Sequence, residues 1–337
     1  MNSKIAFTIC SNNYLGQALA LKQSFLKHNP DFLFVIILMD KYSDEIDYKQ
    51  FYPARFVLAE ALDNIDIEDL VAKYYIIELN TCIKASAFKY LIKQNPDLKV
   101  IYYLDPDLYF YKSLDLLNQK LETKTALLTP HILTPINRDG KFPDENTFLQ
   151  YGVFNLGFLG LNPKKESTKK ILDWWEHRTL NYGFDSAHKG YFVDQLWMNF
   201  LPVFHNDIEI IKSYGYNMAP WNLHERSITK IDKNKILLND DSELVFYHFS
   251  KITNNDLVSR EYNRFNLLDF PLLAELYDDY RAVLKTFDAE KFRQIINAYP
   301  VRLTLNREPK QNKPKFVKKE GCLKMILKKV LVKVKLK

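Results

Sequence analysis

Short runs of β-forming apolar residues alternate along this chain with stretches whose apolar residues recur at helical spacing, and that alternation leaves few folds open. "KIAFTIC" (Lys4 to Cys10), "FLFVIILM" (Phe32 to Met39), "ARFVL" (Ala54 to Leu58), "LKVIYYL" (Leu98 to Leu104) and "TALLT" (Thr125 to Thr129) read as strands. Between them "GQALALKQSFLKHN" and "NTCIKASAFKYLIKQN" read as helices, the second with Asn80 or Thr81 as its cap and an end before Pro96. Strand, helix, strand in succession predicts an α/β fold with a mostly parallel central sheet flanked by helices, and ligands at the carboxyl ends of its strands. From Tyr151 the order becomes "YGVFNLGFLGLN", a helix "KKESTKKILDWWEHRTL", then "YFVDQLWMNFLPVF" and a strand-like "ELVFYHFS". No internal repeat and no linker precede Arg307, so residues 1–306 read as one domain and 307–337 as a basic tail.

The charge is concentrated in that tail. Residues 310–337 hold eleven lysines against one acid, Glu320, a net of +10 where the whole chain carries +6, which leaves residues 1–309 at −4. The basic balance therefore describes the tail and gives no sign of a nucleic-acid groove in the body. Within the tail "CLKMILKKVLVKVKLK" mixes apolar side chains with lysines. It reads as an amphipathic segment on an anionic membrane surface, with a solvated charge run as the plainer alternative. RNA is disfavoured because no aromatic residue follows Phe316 for a base to stack on. Three scattered cysteines without a CxxC pair, no secretory leader and no apolar run of about 18 residues predict a reducing, cytoplasmic setting, peripheral on the inner face of the membrane.

The chemistry concentrates in "IYYLDPDLYFYKSLDLL", where Asp105 and Asp107 follow an apolar run. In an extended strand alternate side chains share a face, so the two carboxylates converge, and a divalent cation relieves their repulsion. All-oxygen ligation favours Mn2+ or Mg2+, bound together with a phosphorylated substrate. The alternative is a polar turn after a strand. A second dense stretch, "YGYNMAPWNLHERS", offers Trp221, Asn222, His224 and Arg226 as an acceptor-sugar site, or else forms a turn whose Trp is core.

Six motifs in order, "FTICSNNYLGQALALKQSFLKHNPDFLFVIILMD", "LNTCIKASAFKYLI", "YYLDPDLYFYKSLDLL", "FNLGFLGLN", "VDQLWMNFL" and "YHFS", resemble GT-A glycosyltransferases. The branch they resemble most holds glycogenin and the lipopolysaccharide galactosyltransferases, family 8, and the resemblance covers about residues 4 to 252. It implies a GT-A, Rossmann-like fold and transfer of a hexose, with retention, from a UDP-linked donor to a glycan or lipid-linked acceptor in bacterial surface polysaccharide or lipopolysaccharide synthesis. It implies a nucleotide-base pocket at Thr8, Asn12 and Tyr14 in the loop after the first strand, although Ser11 or Asn12 there could simply cap a helix. It further implies a basic residue at Lys84 near the donor sugar and phosphates, His248 as third metal ligand beside Asp105 and Asp107, and Asn155 and Gly157 approaching the donor sugar. Asp194 and Gln195 become the polar pair beneath the reacting carbon.

The chain departs from that pattern after the histidine, where the family's glycine and "KPW" are missing and Lys251 is the only nearby cation for the diphosphate. An inverting reaction, with Asp194 or Glu225 as base, stays open on sequence. So do a sugar nucleotidyltransferase, disfavoured because only Gly16 opens the first helix, a metal-free glycoside hydrolase, and a non-catalytic sugar-binding protein.

Overall fold

In the computed structural model, residues 3–232, 235–252, 258–259 and 261–299 are described, and they belong to one compact unit. The expected tail 307–337 lies outside the described residues. The strands are β1 (Lys4–Cys10), β2 (Leu33–Leu38), β3 (Arg55–Leu58), β4 (Val100–Leu104), β5 (Leu108–Phe110), β6 (Ala126–Pro130) and β7 (Phe154–Leu161). With Ile208–Ile210 at one edge, six of these build a seven-stranded sheet in the order Ile208–Ile210, β6, β7, β4, β1, β2, β3. β1 runs parallel to β2 and β4, β2 to β3, and Ile208–Ile210 to β6, whereas β7 runs antiparallel to both its neighbours, β4 and β6. The sheet is thus mostly parallel, and the start of β7 lies at the carboxyl ends of the others.

Both faces are covered, which is why the strands are continuous apolar runs rather than alternating ones. Ile5, Phe7 and Ile9 of β1 pack into one core cluster with Phe88 of helix Lys84–Gln94 and Trp175 of helix Glu166–Tyr182. Ala6 and Cys10 pack into a second with Phe25 of α1 (Leu15–His28) and Leu117 of helix Asp115–Thr123. The period of two along β1 divides these layers.

Two local expectations change, and the strand read in "ELVFYHFS" finds its partner. The helix read as beginning at Asn80 or Thr81 is two helices, Ile76–Cys82 and Lys84–Gln94. Its start is set earlier, where Tyr75 N donates to Glu78 Oε2 at 2.7 Å. Asn80 and Thr81 instead donate back to the carbonyls of Ile76 (2.7 Å) and Ile77 (2.9 Å). The strand-like "ELVFYHFS" pairs outside the main sheet: Phe246–His248 joins β5 antiparallel. Thr8 lies inside β1, opposite Ile36, rather than in the loop that follows. Cys10 and Cys82 are free and buried, and burial pushes both thiols up. Among the described residues no helix is long and apolar enough to cross a membrane.

Candidate active site at the carboxyl ends of the sheet

β4 ends at Leu104 and the chain turns at once: Leu108 N donates to Asp105 O at 3.1 Å. Asp105-Pro106-Asp107-Leu108 is therefore a β-turn with proline at its second position, the place where a fixed φ suits it. The two aspartates converge, but the turn brings them together rather than the pleat of an extended strand. β5 then pairs with Phe246–His248 so that His248 stands opposite Leu108, and Phe249 N donates to Asp107 O at 2.9 Å. Strand register thus carries His248 to the carboxylates from 141 positions away. Its Nε2 is 3.0 Å from Asp107 Oδ1 and 3.9 Å from Asp105 Oδ2. One ligand atom from each of the three residues lies within 4.8 Å of the other two. The aspartate side chains are 27% and 23% exposed and His248 only 4%, so the group opens on its carboxylate side.

Burial drives His248 toward its neutral form, but the charge and hydrogen bond of Asp107 outweigh it and raise the imidazole pKa. Burial likewise works to raise the Asp107 carboxyl, and His248, a backbone N–H and Lys84 together lower it. Two carboxylate oxygens and one imidazole make a ligand set that fits a divalent metal ion.

Gly157 closes this group from below. A Cβ there would stand 2.5 Å from His248 Cε1 and 2.8 Å from Asp105 Oδ2, and Asp105 N donates to Gly157 O at 2.7 Å. The glycine expected to admit a donor sugar thus admits the proposed metal ligands themselves.

Behind the aspartates lies a buried ion pair. Lys84, 2% exposed, reaches Asp194 Oδ2 at 2.9 Å and Asp105 Oδ1 at 3.8 Å, donates to Leu156 O at 3.0 Å, and sits 4.2 Å over the Tyr103 ring. Tyr103 in turn donates to Asp105 Oδ1 at 2.5 Å. Burial raises the Asp194 carboxyl, Lys84 pulls it back, and Asp105 adds to the rise. The residue before it, Val193, has φ +39°, a strained conformation for a β-branched side chain. Gln195 spends both ends on backbone, accepting from Leu156 N (3.0 Å) and donating to Tyr151 O (2.9 Å). Asn155 accepts from Gly157 N at 3.2 Å and lies 3.4 Å from His131 Nε2.

In the loop after β1, Asn12 is anchored rather than capping: its N donates to Asp40 Oδ2 (3.2 Å), its Nδ2 to Lys41 O (2.8 Å), and its Oδ1 accepts from Tyr48 (2.8 Å). Ser11 Oγ donates to Met39 O, so it caps no helix either. Tyr14 is half exposed.

The Tyr214–Ser227 stretch divides. Trp221 is 4% exposed, edge-on to His248 with ring centroids 5.0 Å apart. Asn222 accepts from Ala219 N and donates to the carbonyls of His131 and Asn217. Arg226 pairs with Glu225 at 3.0 Å and donates to Tyr214 O and Tyr216 O. Both are buried, and these bonds tie the loop to itself and to the 131 segment. Glu225 accepts from Leu133 N, Thr134 N and Thr134 Oγ1, which leaves no free oxygen for the role of base. His224, partly exposed, lies 3.1 Å from Thr134 O. Lys251, expected at the diphosphate, pairs with Glu261.

Asp40, Tyr103 and Asn217, whose Oδ1 lies 3.4 Å from His248 Nδ1, are additions that the motifs did not single out. Asp40 carried a signal, a carboxylate just past a strand as in the DPD; Tyr103 and Asn217 carried none.

No protein-family profile matches the chain. It is 25% identical over 277 residues to the uncharacterized protein YfnF of Bacillus subtilis (strain 168), covering 81% of this chain and 89% of that one. It is 22% identical over 303 residues to the uncharacterized protein YfnD of the same strain, covering 87% and 91%. Among solved structures, the galactosyltransferase LgtC in complex with donor and acceptor sugar analogs superposes with a TM-score of 0.50 at 16% identity, over 84% of this chain and 95% of that one. The fold is GT-A. The candidate site lies at the carboxyl ends of its parallel strands, where open α/β sheets bind ligands.

Proposed function

We propose that the chain is a metal-dependent glycosyltransferase moving a hexose from a UDP-linked donor to a glycan or lipid-linked acceptor, with retention, in bacterial surface polysaccharide or lipopolysaccharide synthesis. The observation that carries this reading is the convergence of Asp105, Asp107 and His248 at the open end of a GT-A sheet, directly against the buried Lys84–Asp194 pair. Mn2+ or Mg2+ held by those three side chains would act as a Lewis acid toward the departing nucleoside diphosphate.

The protein's own residues do the rest. Lys84 holds Asp194 and Asp105 in one frame, and Tyr103 fixes the Asp105 carboxylate. Asp194, next to the strained Val193, supplies negative charge beneath the sugar carbon that becomes cationic. Gln195 and Asn155 position the Leu156–Gly157 backbone against the metal ligands. Asn12 and Tyr14 frame the base, with Asp40 fixing that loop. Retention is supported because Glu225 is saturated and Asp194 is tied to Lys84, which leaves neither free to deprotonate an acceptor. Trp221 and His224 remain the acceptor-side candidates of their loop, and the basic segment 307–337 holds the enzyme at the cytoplasmic face of the membrane.

A panel of nucleotide sugars incubated with the full-length protein and Mn2+ tests the reading. A UDP-hexose should be hydrolysed, EDTA should stop the reaction, and added Mn2+ should restore it. Undiminished turnover in EDTA, or none with any nucleotide sugar, would overturn it.

A further inference from the structure

A neutral imidazole can present either of its nitrogens to a metal ion, and its proton must then sit on the other. In His248, Nε2 is the nitrogen turned to the carboxylates, 3.0 Å from Asp107 Oδ1 and 3.9 Å from Asp105 Oδ2. A metal site built on these three side chains therefore needs the tautomer with its proton on Nδ1. The ring is buried, so that Nδ1–H needs an acceptor from the protein. Trp221, edge-on to the ring with centroids 5.0 Å apart, has only an N–H to offer. Asn217 has a carbonyl oxygen, and its Oδ1 lies 3.4 Å from His248 Nδ1.

Backbone contacts hold Asn217 at that place. Its neighbour Met218 forms a parallel bridge with Tyr247, and His248 N donates to Met218 O at 2.8 Å. Asn217 O accepts from Asn222 Nδ2 at 2.9 Å, and Asn222 Oδ1 accepts from Ala219 N at 2.9 Å, which ties down both sides of Met218. The residue has φ +60°, in the left-handed region that asparagine tolerates better than most side chains do. Its side chain is fully buried, and its Nδ2 has no hydrogen-bond partner among the described residues. Asn222 and Gln195, which join segments of backbone, use both ends of their amides. Asn217 uses only its carbonyl end, and uses it on the imidazole.

Building on the function proposed above, we infer that Asn217 is a positioning residue for the metal site: its Oδ1 accepts the Nδ1 proton of His248 and so keeps Nε2 unprotonated as the ligand nitrogen beside Asp105 and Asp107. A partner on the second nitrogen fixes both the tautomer and the orientation of a metal-binding ring. The Tyr214–Ser227 stretch then serves the metal from behind, with Asn222 anchoring Asn217 and Asn217 orienting His248.

The test is Mn2+ binding to the full-length protein, read from the loss of the free-ion paramagnetic resonance signal with and without UDP, for wild type, Asn217→Gly and Asn217→Asp. Glycine keeps the left-handed backbone and removes the acceptor, whereas aspartate keeps the acceptor. Asn217→Gly should bind Mn2+ about 10- to 100-fold more weakly, the usual cost of losing such a partner, and Asn217→Asp should bind it at least as tightly as wild type. A second reading needs no Asn217 variant: in nitrogen-15 histidine spectra of wild type with Mg2+ and UDP, the His248 signals, assigned by their loss in His248→Gln, should show the proton on Nδ1. Unchanged Mn2+ affinity in Asn217→Gly, equal losses in both variants, or a proton on Nε2 would overturn the role of Asn217 alone. A wild type that takes up no Mn2+ even with UDP present would overturn the metal-dependent function proposed above together with it.

Discussion

Two parts of this molecule are equally rich in catalytic-looking residues and use them in opposite ways. At the aspartate turn, Asp105, Asp107 and His248 take their positions from backbone hydrogen bonds and strand register, so their side chains are left to face one another and the open end of the sheet. In the Tyr214–Ser227 loop, Asn222, Glu225 and Arg226 point inward and bond the backbones of two loops together. A buried polar group must find partners, and once it has them little is left for a ligand. Residue type alone cannot separate these cases; what separates them is whether the backbone or the side chain performs the positioning.

That contrast breaks most visibly at Asp107. On the function proposed above, Asp107→Ala should lower turnover by at least about 10³-fold, because it removes a proposed ligand of the ion that would stabilise the leaving charge, while the melting temperature changes little. A variant that keeps its rate would place the chemistry elsewhere. The loop should answer in the other currency: Arg226→Met leaves Glu225 buried without its cation and should destabilise the fold by about 3 kcal/mol, the low end for a broken buried pair because Glu225 retains its backbone donors. Urea denaturation reads this, and UDP affinity of the folded fraction should be unchanged. A selective loss of affinity at unchanged stability would return Arg226 to the binding site.

His131 sharpens the comparison through pH. Burial pushes its pKa down from the ordinary 6.5 to about 3. The folded state then binds fewer protons than the unfolded one, so this contribution is fully present above about pH 6.5 and is lost as the pH falls from there toward 3. His131→Gln should flatten that part of a stability-versus-pH profile, and an unchanged slope would count against a neutral, buried His131. The smallest effect belongs to Lys251→Ala, expected to change turnover less than twofold, since its exposed pair with Glu261 contributes little.

The sheet was legible because strands buried on both faces must be apolar throughout, and runs such as "KIAFTIC" and "LKVIYYL" can hardly be anything else. The aspartate pair was legible as a pair, although Pro106 builds a turn there rather than ending a strand. Gly157 was legible as a close approach but not for what approaches it, because His248 arrives from another strand pair. The burial of Asn222 and Arg226 was hidden for a similar reason: their fate depends partly on the 131–134 segment, some ninety positions away.

The hydrogen bond from Ala298 to Asp40 spans 258 positions of chain. Order of synthesis therefore matters to this protein. A nascent chain can pair β1 to β4 soon after residue 104 has emerged, yet the Asn12–Tyr14 turn keeps an open side until the helix at 289–293 and the segment after it have come down on Gly16 and Asp40. On the function proposed above, the nucleotide pocket would be completed last, and a chain that stops short of Ala298 would carry a formed aspartate turn beside an unfinished Asn12–Tyr14 loop.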